Sequence, residues 1–361
     1  MKLPAKALGW TVAVLGLAAA LAWWQRGPLT VALVARQVKA ITAQADPLAT
    51  LPDGLHVGLC GAGSPFPDDL RSGPCTVVVA GRRMFVFDSG SGAARNLSRM
   101  RLSAGQIEAL FFTHYHSDHI DGLGELMLQR WIQRTSQAPL PVFGPVGLEK
   151  VLQGFTDAYT LDKGYRIGHH GEAVAPPGGF GGQARVFDLP PGGGRQVLVT
   201  EPDLEIVAFA VEHTPVNPAV GYRIRYKDRT VVLSGDTSKS ANVARESKGV
   251  DLLVHEALSP VLLSMLERGF ADAGRKPLSK IMHDVLDYHT TPDEAAEIAR
   301  DAGVRALVLN HIVPPLPSSG LHPAFLQRAG QIYSGPLHIG ADGDWISLPV
   351  GGQTVTLARR P

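Results

Sequence analysis

Three histidines and an aspartate lie within six residues, from His114 to His119, directly after the apolar and aromatic segment 107–113. The apolar run predicts a strand, and successive side chains of an extended chain point to opposite faces. His114 and His116 therefore point to the same side, whereas Asp118 and His119 lie in the turn beyond. Imidazole nitrogens and carboxylate oxygens are ligands for cations such as zinc. The segment predicts a metal site at the end of a strand, with a second ion close by.

Four further predicted strands end in the same kinds of residue. A single histidine after a strand is as easily structural as metal-ligating, but four in succession are not expected by chance. In α/β folds, strand ends meet at one rim of a sheet, so these side chains should converge there. They are His213 after 206–212, Asp236 after 230–234, His255 and Glu256 after 252–254, and His311 after 306–309.

The remaining pattern mixes strands with helices. Residues 292–302 predict a helix, with a capping box from Thr291 to Glu294 and Gly303 as its stop. Glycine- and proline-rich stretches predict loops at 175–182 and 190–194. Interspersed strands and helices indicate an α/β layered fold. The other predicted strands are 55–59, 76–79, 84–87 and 220–226.

Bulk composition narrows the class of protein. The chain has 361 residues, 45% of them hydrophobic, which is ample for a buried core and excludes wholesale disorder. Its 34 basic and 33 acidic residues leave a net charge of +1. That balance excludes a polybasic nucleic-acid binder by bulk charge, although a local basic patch stays open.

The first 26 residues predict a membrane or export element. Lys2 and Lys6 precede the uncharged stretch 7–24, which is just long enough to span a bilayer as a helix. A cleaved signal peptide and an uncleaved anchor both fit, and Trp23 and Trp24 favour the anchor. Either way, the body of the protein is expected outside the cytoplasm, in the periplasm or another extracytoplasmic space.

Residues 27–54 are predicted to form a linker. An amphipathic helix over 29–45 is expected within it, ended by Pro47 and Pro52. The globular domain then runs from residue 55 to residue 361.

The order of the polar motifs resembles the metallo-β-lactamase superfamily. The motifs are His-x-His-x-Asp-His from His114, a histidine at His213, Ser-Gly-Asp ending at Asp236, and a last histidine at His311. The resemblance covers about residues 55–348 and implies an αββα sandwich with a two-metal site on one edge. Phe87-Asp88-Ser89-Gly90 is similar to the superfamily's first motif, whose aspartate usually supports the metal loop. The sequences around His213, Asp236, Glu256 and His289 are similar to the tRNase Z and arylsulfatase-like branch.

The resemblance implies a role for each of these residues. One zinc ion would be held by His114, His116 and His213, and a second by Asp118, His119 and His311, with Asp236 bridging. Two cations roughly 3.5–4 Å apart share a bridging hydroxide that attacks an ester. Two Zn²⁺ per chain are therefore expected, with Mn²⁺ or Fe²⁺ as alternatives.

The candidate catalytic residues are Asp118, Glu256 and His289. By the resemblance, Glu256 and His289 form a dyad in which the imidazole protonates the leaving oxygen. The alternative is that His289 only makes a hydrogen bond at a helix end. His255 is expected to point away from the site and to be structural.

Departures from the branch indicate a small anionic ester as substrate, of arylsulfatase-like or phosphodiesterase-like type. The segment 163–203 carries four basic and four acidic residues, so it lacks the charge of a tRNA-gripping arm. The loop after Leu59 contains the acidic pair Asp68-Asp69, and Pro314-Pro315 follow soon after His311. We therefore expect tRNA to be an unlikely partner. Processing of tRNA 3′ ends, as by tRNase Z, is the alternative.

The segment from Tyr159 to His170 resembles the cover of the arylsulfatase-like pocket. Arg166 or His170 would there bind sulfate or phosphate, with an ordinary surface loop as the alternative. Relatives in this branch often form dimers, so a homodimer is a further expectation. An iron-dependent thiol dioxygenase of this fold is a less favoured function, because it typically keeps one metal and the second ligand set here is complete.

Cys60 and Cys75 are the only cysteines in the sequence. Outside the cytoplasm they could form a disulfide that pins the intervening loop. Two buried thiols are the equal alternative.

Overall fold

Two β-sheets lie face to face, and strands of both sheets end at the same edge. The computed structural model describes residues 5–42, 46–190 and 193–360. The chain divides into two compact units, Met1–Thr50 and Leu51–Pro361. Both sheets belong to the second unit.

The described residues form fifteen strands: β1 Gly54–Gly61, β2 Cys75–Ala80, β3 Arg83–Phe87, β4 Ile107–Phe111, β5 Leu140–Pro145, β6 Gly182–Phe187, β7 Arg195–Thr200, β8 Leu204–Ala210, β9 Val220–Tyr226, β10 Arg229–Leu233, β11 Leu252–Leu258, β12 Leu307–Val313, β13 Leu337–Ile339, β14 Asp344–Pro349 and β15 Thr356–Arg359. Their α-helices are α1 Ala5–Thr42, α2 Ala93–Arg99, α3 Ser117–Ile120, α4 Leu123–Arg134, α5 Leu148–Ala158, α6 Thr160–His170, α7 Ala241–Glu246, α8 Pro260–Asp272, α9 Lys276–Asp284, α10 Pro292–Asp301, α11 His322–Leu326 and α12 Ala329–Ile332.

The first sheet has the order β15-β14-β1-β2-β3-β4-β5-β6, and the second has the order β13-β12-β11-β10-β9-β8-β7. Buried side chains from both sheets fill the space between them. Phe111 of β4 stacks on Phe87 and Phe143, and Tyr222 of the second sheet meets it edge-on. A second apolar cluster joins the outer face of the second sheet to α10 and neighbouring helices. Helices α2, α4 and α5 contact the first sheet. The predicted α/β sandwich is confirmed.

Strand direction explains why the predicted ligand residues converge. Strands β10, β11 and β12 are parallel neighbours, and β8 runs in the same direction because two antiparallel pairings separate it from β10. In the first sheet, β3 and β4 are parallel. The carboxyl ends of these strands therefore lie at one edge of the sandwich.

The amino-terminal unit differs from its prediction. The sequence predicts two segments that meet near Pro28, whereas the structure has one helix, α1, that passes through this proline. Proline removes one backbone hydrogen bond, but the alanine- and leucine-rich stretches on both sides favour helix. Lys2 and residues 43–45 lie outside the described residues, as do the side chains at 5–14.

Across the described residues, no helix combines the length and apolar character needed to span a membrane. The membrane helix predicted over residues 7–24 therefore has no support from the structure.

The segment 163–203 is also built differently from an arm. Its residues complete α6 and then supply β6, the edge strand of the first sheet, and β7, the edge strand of the second. Residues 191 and 192 of the predicted loop 190–194 lie outside the described part of the chain. In the described residues, the segment thus extends the sandwich.

Cys60 and Cys75 form a disulfide, with their Cα atoms 4.9 Å apart. Cys60 lies where the register between β1 and β2 shifts, and Cys75 begins β2. The bridge closes the loop 61–74 at its base. Of the two alternatives, a disulfide and two buried thiols, the structure contains the disulfide.

We expect the double variant Cys60→Ala/Cys75→Ala to lower the free energy of unfolding by about 3 kcal/mol, because a bridge that spans 15 residues restricts the unfolded chain by that amount. Urea unfolding of both proteins measures the difference. As a control, dithiothreitol should bring the wild type to the stability of the variant. Equal stabilities without reductant would contradict a bridge in solution.

Candidate metal centre and active site

Two groups of side chains lie together at the shared sheet edge. The first group is His114, His116, His213 and Asp236, and the second is Asp118, His119 and His311. Within each group the potential ligand atoms lie within 4.8 Å of one another. The seven residues that the sequence predicts as metal ligands are therefore brought together. A third, overlapping group consists of Asp236, His289 and His311, so the predicted acid lies within the same reach.

Asp236 lies between the two groups. Its Oδ2 atom is 3.3 Å from Nε2 of His119 and 3.2 Å from Nε2 of His311. The same oxygen is 3.9 Å from Nε2 of His114 and 4.0 Å from Nε2 of His213. One carboxylate thus faces imidazoles of both groups, as a bridging ligand requires. Gly235 precedes it with φ of 63°, a conformation that glycine adopts without strain and that follows from the Ser-Gly-Asp motif.

The imidazoles are oriented by hydrogen bonds at their other ring nitrogens. His213 Nδ1 donates to the Tyr288 carbonyl oxygen at 3.0 Å, and His114 Nδ1 donates to Thr113 Oγ1 at 3.0 Å. His119 Nδ1 donates to Asp88 Oδ2 at 2.9 Å. With these assignments, Nε2 of each ring keeps a free lone pair. Hydrogen bonds at the other ring nitrogen orient a metal-binding histidine in this way.

The Nε2 atoms of His114, His119 and His213 are buried and have no hydrogen-bond partner among the described residues. Buried polar atoms without partners are costly. Three such atoms beside two carboxylates are a donor set that fits divalent cations. The clusters are therefore suited to binding metal ions.

Asp88 holds the loop that carries the first ligands by hydrogen bonds. Its carboxylate accepts hydrogen bonds from the backbone nitrogen and the hydroxyl of Thr113, both at 2.9 Å, in addition to the bond from His119. Asp88 has φ of 58°, an uncommon backbone conformation for a residue with a side chain. A Cβ atom at the nearby Gly90 would collide with the carbonyl oxygen of Asp118. The Phe87–Gly90 motif thus holds the loop that carries the first ligands.

His311 reaches the site through a bulge. The register between β11 and β12 pairs Glu256 with Asn310 and Ala257 with Ile312, so that His311 is the extra residue. Leu309 and Ile312 pack in the helix-facing cluster, and regular alternation would have turned His311 in that direction too. With φ of 46°, the bulge instead points Nε2 at Asp118 and Asp236.

The pKa shifts of the histidines differ between the two groups. Burial lowers the pKa of His114, His116 and His213, so these imidazoles stay neutral and able to ligate a cation. Burial opposes a charge on His119 as well, but Asp236, Asp118 and Asp88 outweigh it and raise its pKa well above the ordinary value. Protons and cations therefore compete at this edge, and metal binding should weaken as the pH falls.

Glu256 and His289 form the expected pair. His289 Nδ1 donates to Glu256 Oε1 at 3.0 Å, and the same oxygen accepts from the backbone nitrogens of Thr237 and Thr290. Burial would lower the pKa of His289, but the charge and hydrogen bond of Glu256 raise it to about 9. Bound cations would repel the proton and lower this value. His255 is buried, and its Nδ1 donates to the carbonyl oxygen of Glu256, away from the ligand groups.

A cavity of about 320 Å³ opens beside the two groups. His116, Asp118, Asp236, His289 and His311 form one side of it. The other side is apolar, and no pattern in the sequence indicates it, because its residues come from the disulfide loop, from α9 and the turn after it, and from the end of β12. They are Pro65, Phe66, Pro67, Ile281, Val285, Tyr288 and Val313.

The predicted pocket cover is wrong. None of the described residues of α6 lines this cavity, and none of them is buried. Arg166 instead forms an ion pair with Asp162 one turn earlier, at 2.7 Å, and Tyr159 stacks on Phe180.

The chain is an α/β sandwich of two facing sheets with outer helices, and the His/Asp cluster at its edge is suited to binding metal ions. The family model of the metallo-beta-lactamase superfamily matches residues 68–296, and the chain belongs to this superfamily.

The chain is also similar to individual proteins. It is 36% identical over 264 residues to a protein named Ribonuclease Z from Mycolicibacterium gilvum (strain PYR-GCK), which covers 73% of this chain and 85% of that relative. Two solved structures share the fold over 82% of this chain and 100% of their own. They are the metallo-beta-lactamase fold protein YhfI from Bacillus subtilis, with a TM-score of 0.58 and 21% identity, and the short form of human tRNase Z, with 0.57 and 24%.

Asp236→Ala should abolish both metal binding and hydrolysis of every ester, because the first ligand group loses a member and the carboxylate that faces both groups is gone. We expect far less than the wild-type metal content after loading with zinc and dialysis, measured by elemental analysis. Asp301→Ala, which changes an exposed aspartate of α10, is the matched control and should keep both properties. Wild-type turnover in Asp236→Ala would refute the two-metal arrangement.

His289→Ala should keep its metal but slow hydrolysis roughly 10²–10⁴-fold, the usual contribution of a positioned acid. The loss should be largest for poorly leaving alkoxides and small for nitrophenyl esters, whose leaving group departs unprotonated. The alkaline fall in wild-type rate, as the acid loses its proton, should vanish in the variant. Turnover against leaving-group pKa and pH, with metal content, measures this.

His170→Ala removes an exposed histidine outside the cavity and serves as the control. A ligand role for His289 would instead remove metal and all activity together. A uniform loss across leaving groups, with full metal content, would count against the acid role.

Proposed function

We propose that this protein is a metal-dependent phosphodiesterase of the ribonuclease Z type, which cleaves RNA near the 3′ end of tRNA precursors. The observation that carries the proposal is the placement of seven ligand side chains beside the Glu256–His289 pair in one cavity. The relatives named Ribonuclease Z support RNA as the substrate. They favour the alternative drawn from the sequence over the arylsulfatase-like prediction.

Zinc is the proposed metal, since imidazole and carboxylate donors in two adjacent groups suit it, with manganese or iron as alternatives. His114, His116 and His213 would hold one ion and Asp118, His119 and His311 the other, with Asp236 shared. When bound, such a pair activates water and neutralises charge on the transferred phosphoryl group.

Residues of the chain supply the proton for the leaving group and hold the proton donor in place. Nε2 of His289 faces the cavity and carries the proton that goes to the leaving oxygen. Glu256 Oε1 accepts from Nδ1 of His289, which fixes the ring and favours its protonated form. The backbone donors of Thr237 and Thr290 hold the carboxylate in place.

A small aryl ester, such as an aryl sulfate, is the second candidate substrate. The segment 163–203 extends the two sheets and carries balanced charge, so it does not provide a basic arm for tRNA. An extracytoplasmic location would accompany this second candidate, since a disulfide is typical of an oxidising compartment. A protein placed there would meet small esters more readily than tRNA precursors.

A substrate panel tests the proposal. The zinc- or manganese-loaded protein is assayed with a tRNA precursor, a bis-aryl phosphate, an aryl sulfate and a lactone. We expect cleavage of the tRNA precursor and of the phosphodiester, with the RNA cut mapped by gel. Asp236→Ala is the blank for contaminating nucleases. Hydrolysis of aryl sulfate without any phosphodiester cleavage would overturn the proposal in favour of the second candidate.

A further inference from the structure

The cavity beside the ligand groups has two chemically distinct ends. One end carries the imidazoles and carboxylates. The other end is apolar and is made by Phe66 and its flanking prolines, by Ile281 and Val285 on the helical hairpin α8–α9 and the turn after it, and by Val313. None of the described residues that line the cavity is a lysine or an arginine.

The apolar end is held in shape from behind. Leu258, Leu263, Met282 and Val313 form a small buried cluster, and Phe66 and Val285 pack against it while also lining the cavity. The disulfide closes the loop that carries Phe66. This wall is therefore a built surface that does not depend on an exposed loop alone.

Its apolar side chains remain accessible. Ile281 is 48% exposed although it lines a cavity whose opposite side is charged. Apolar surface gathered at a concave site is typical of ligand binding. The volume also suffices, because an apolar cavity of about 150 Å³ already holds a benzene ring. Some 320 Å³ can thus hold a reacting ester group and one ring.

We infer that the apolar wall of Phe66, Ile281 and Val285 is a subsite for an aromatic ring attached to the reacting ester. The inference rests on the proposed ester hydrolysis for the position of the anionic group. Phe66 and Tyr288 are aromatic lining residues, which favour a flat aromatic group over an alkyl chain. Without lysine or arginine along the wall, a second anionic group would have no cationic partner there. The ring is either the base of a nucleotide or the aryl group of a small ester.

Binding of paired probes to the zinc-loaded protein tests this, with calorimetry as the readout. Phenylphosphonate is compared with methylphosphonate, and adenosine 5′-monophosphate with ribose 5-phosphate. We expect the ring to tighten binding roughly ten- to a hundredfold in at least one pair, the usual effect of stacking. A preference in the first pair alone identifies an aryl ester, and one in the second identifies a nucleobase. No preference in either pair would overturn the subsite.

Phe66→Ala and Ile281→Ala should each reduce the ring preference while leaving methylphosphonate binding unchanged. Ile281 lies on the surface of α9 outside the buried cluster, so its variant keeps the fold if the Phe66 variant does not. Met265→Ala is the matched control, since this exposed apolar side chain of α8 does not line the cavity. A ring preference that survives both variants would place the ring elsewhere and refute the assignment.

The two proposals can fail separately. Hydrolysis of esters without any ring preference counts against the subsite alone. A ring preference in a protein that cleaves no phosphodiester counts against the proposed function alone.

Discussion

The burial of Asp236 among imidazoles of two groups is the interaction on which this sheet edge depends. Its carboxylate is almost fully buried, and His119 and His311 hold its pKa well below the ordinary value despite the burial. A buried anion is tolerated only beside positive charge. Protons supply that charge in part, but the unpartnered Nε2 atoms of His114 and His213 can be satisfied only by a cation or a donor. The edge is therefore a site built for divalent ions, and both sheets must keep their strand ends in place to maintain it.

Local backbone distortions connect this charge cluster to the rest of the sandwich. Asp88 and His311 both have positive φ. Asp88 directly follows β3, and His311 lies at the bulge within β12. Asp88 fixes His119, and the backbone of His119 accepts from Ser89 at 2.8 Å. Gly90 then donates to the carbonyl oxygen of Pro74, which directly precedes the disulfide-bonded Cys75. The disulfide thus anchors the apolar wall. Through Pro74, Gly90 and Ser89 it also anchors the loop that carries the first ligands.

Much of this arrangement could be predicted from the sequence, for a physical reason. Period-two apolar runs locate strands, and polar residues that follow them locate a sheet edge, so the seven candidate ligand residues could be found without a structure. The capping box of α10 was found in the same way and is present. The pairing of Glu256 with His289 came only from the family resemblance. Six strands were missed, namely β5, β6, β7, β13, β14 and β15, because their apolar runs are short or are interrupted by prolines, glycines and charged residues. The bulge at His311 leaves no sign in composition. The apolar wall was missed because its residues are ordinary apolar side chains, brought together only by tertiary packing.

In the proposed site, the charged end and the apolar end of the cavity contribute differently to substrate choice. Cations bound at the charged end would recognise the charge of an ester and not the groups attached to it. Discrimination would then come from the apolar end, where removal of ring surface from water is not directional but is limited by the cavity volume of about 320 Å³. A long RNA would need cationic contacts beyond this cavity, since phosphates away from the cut supply most of its affinity. The hairpin α8–α9 borders the opening and carries Arg275, Lys276 and Lys280 on and beside α9. Of these three, Lys280 is already paired with Asp284. The positive charge on and beside α9 is thus partly neutralised, and in the proposed subsite the apolar wall selects the group attached to the reacting ester.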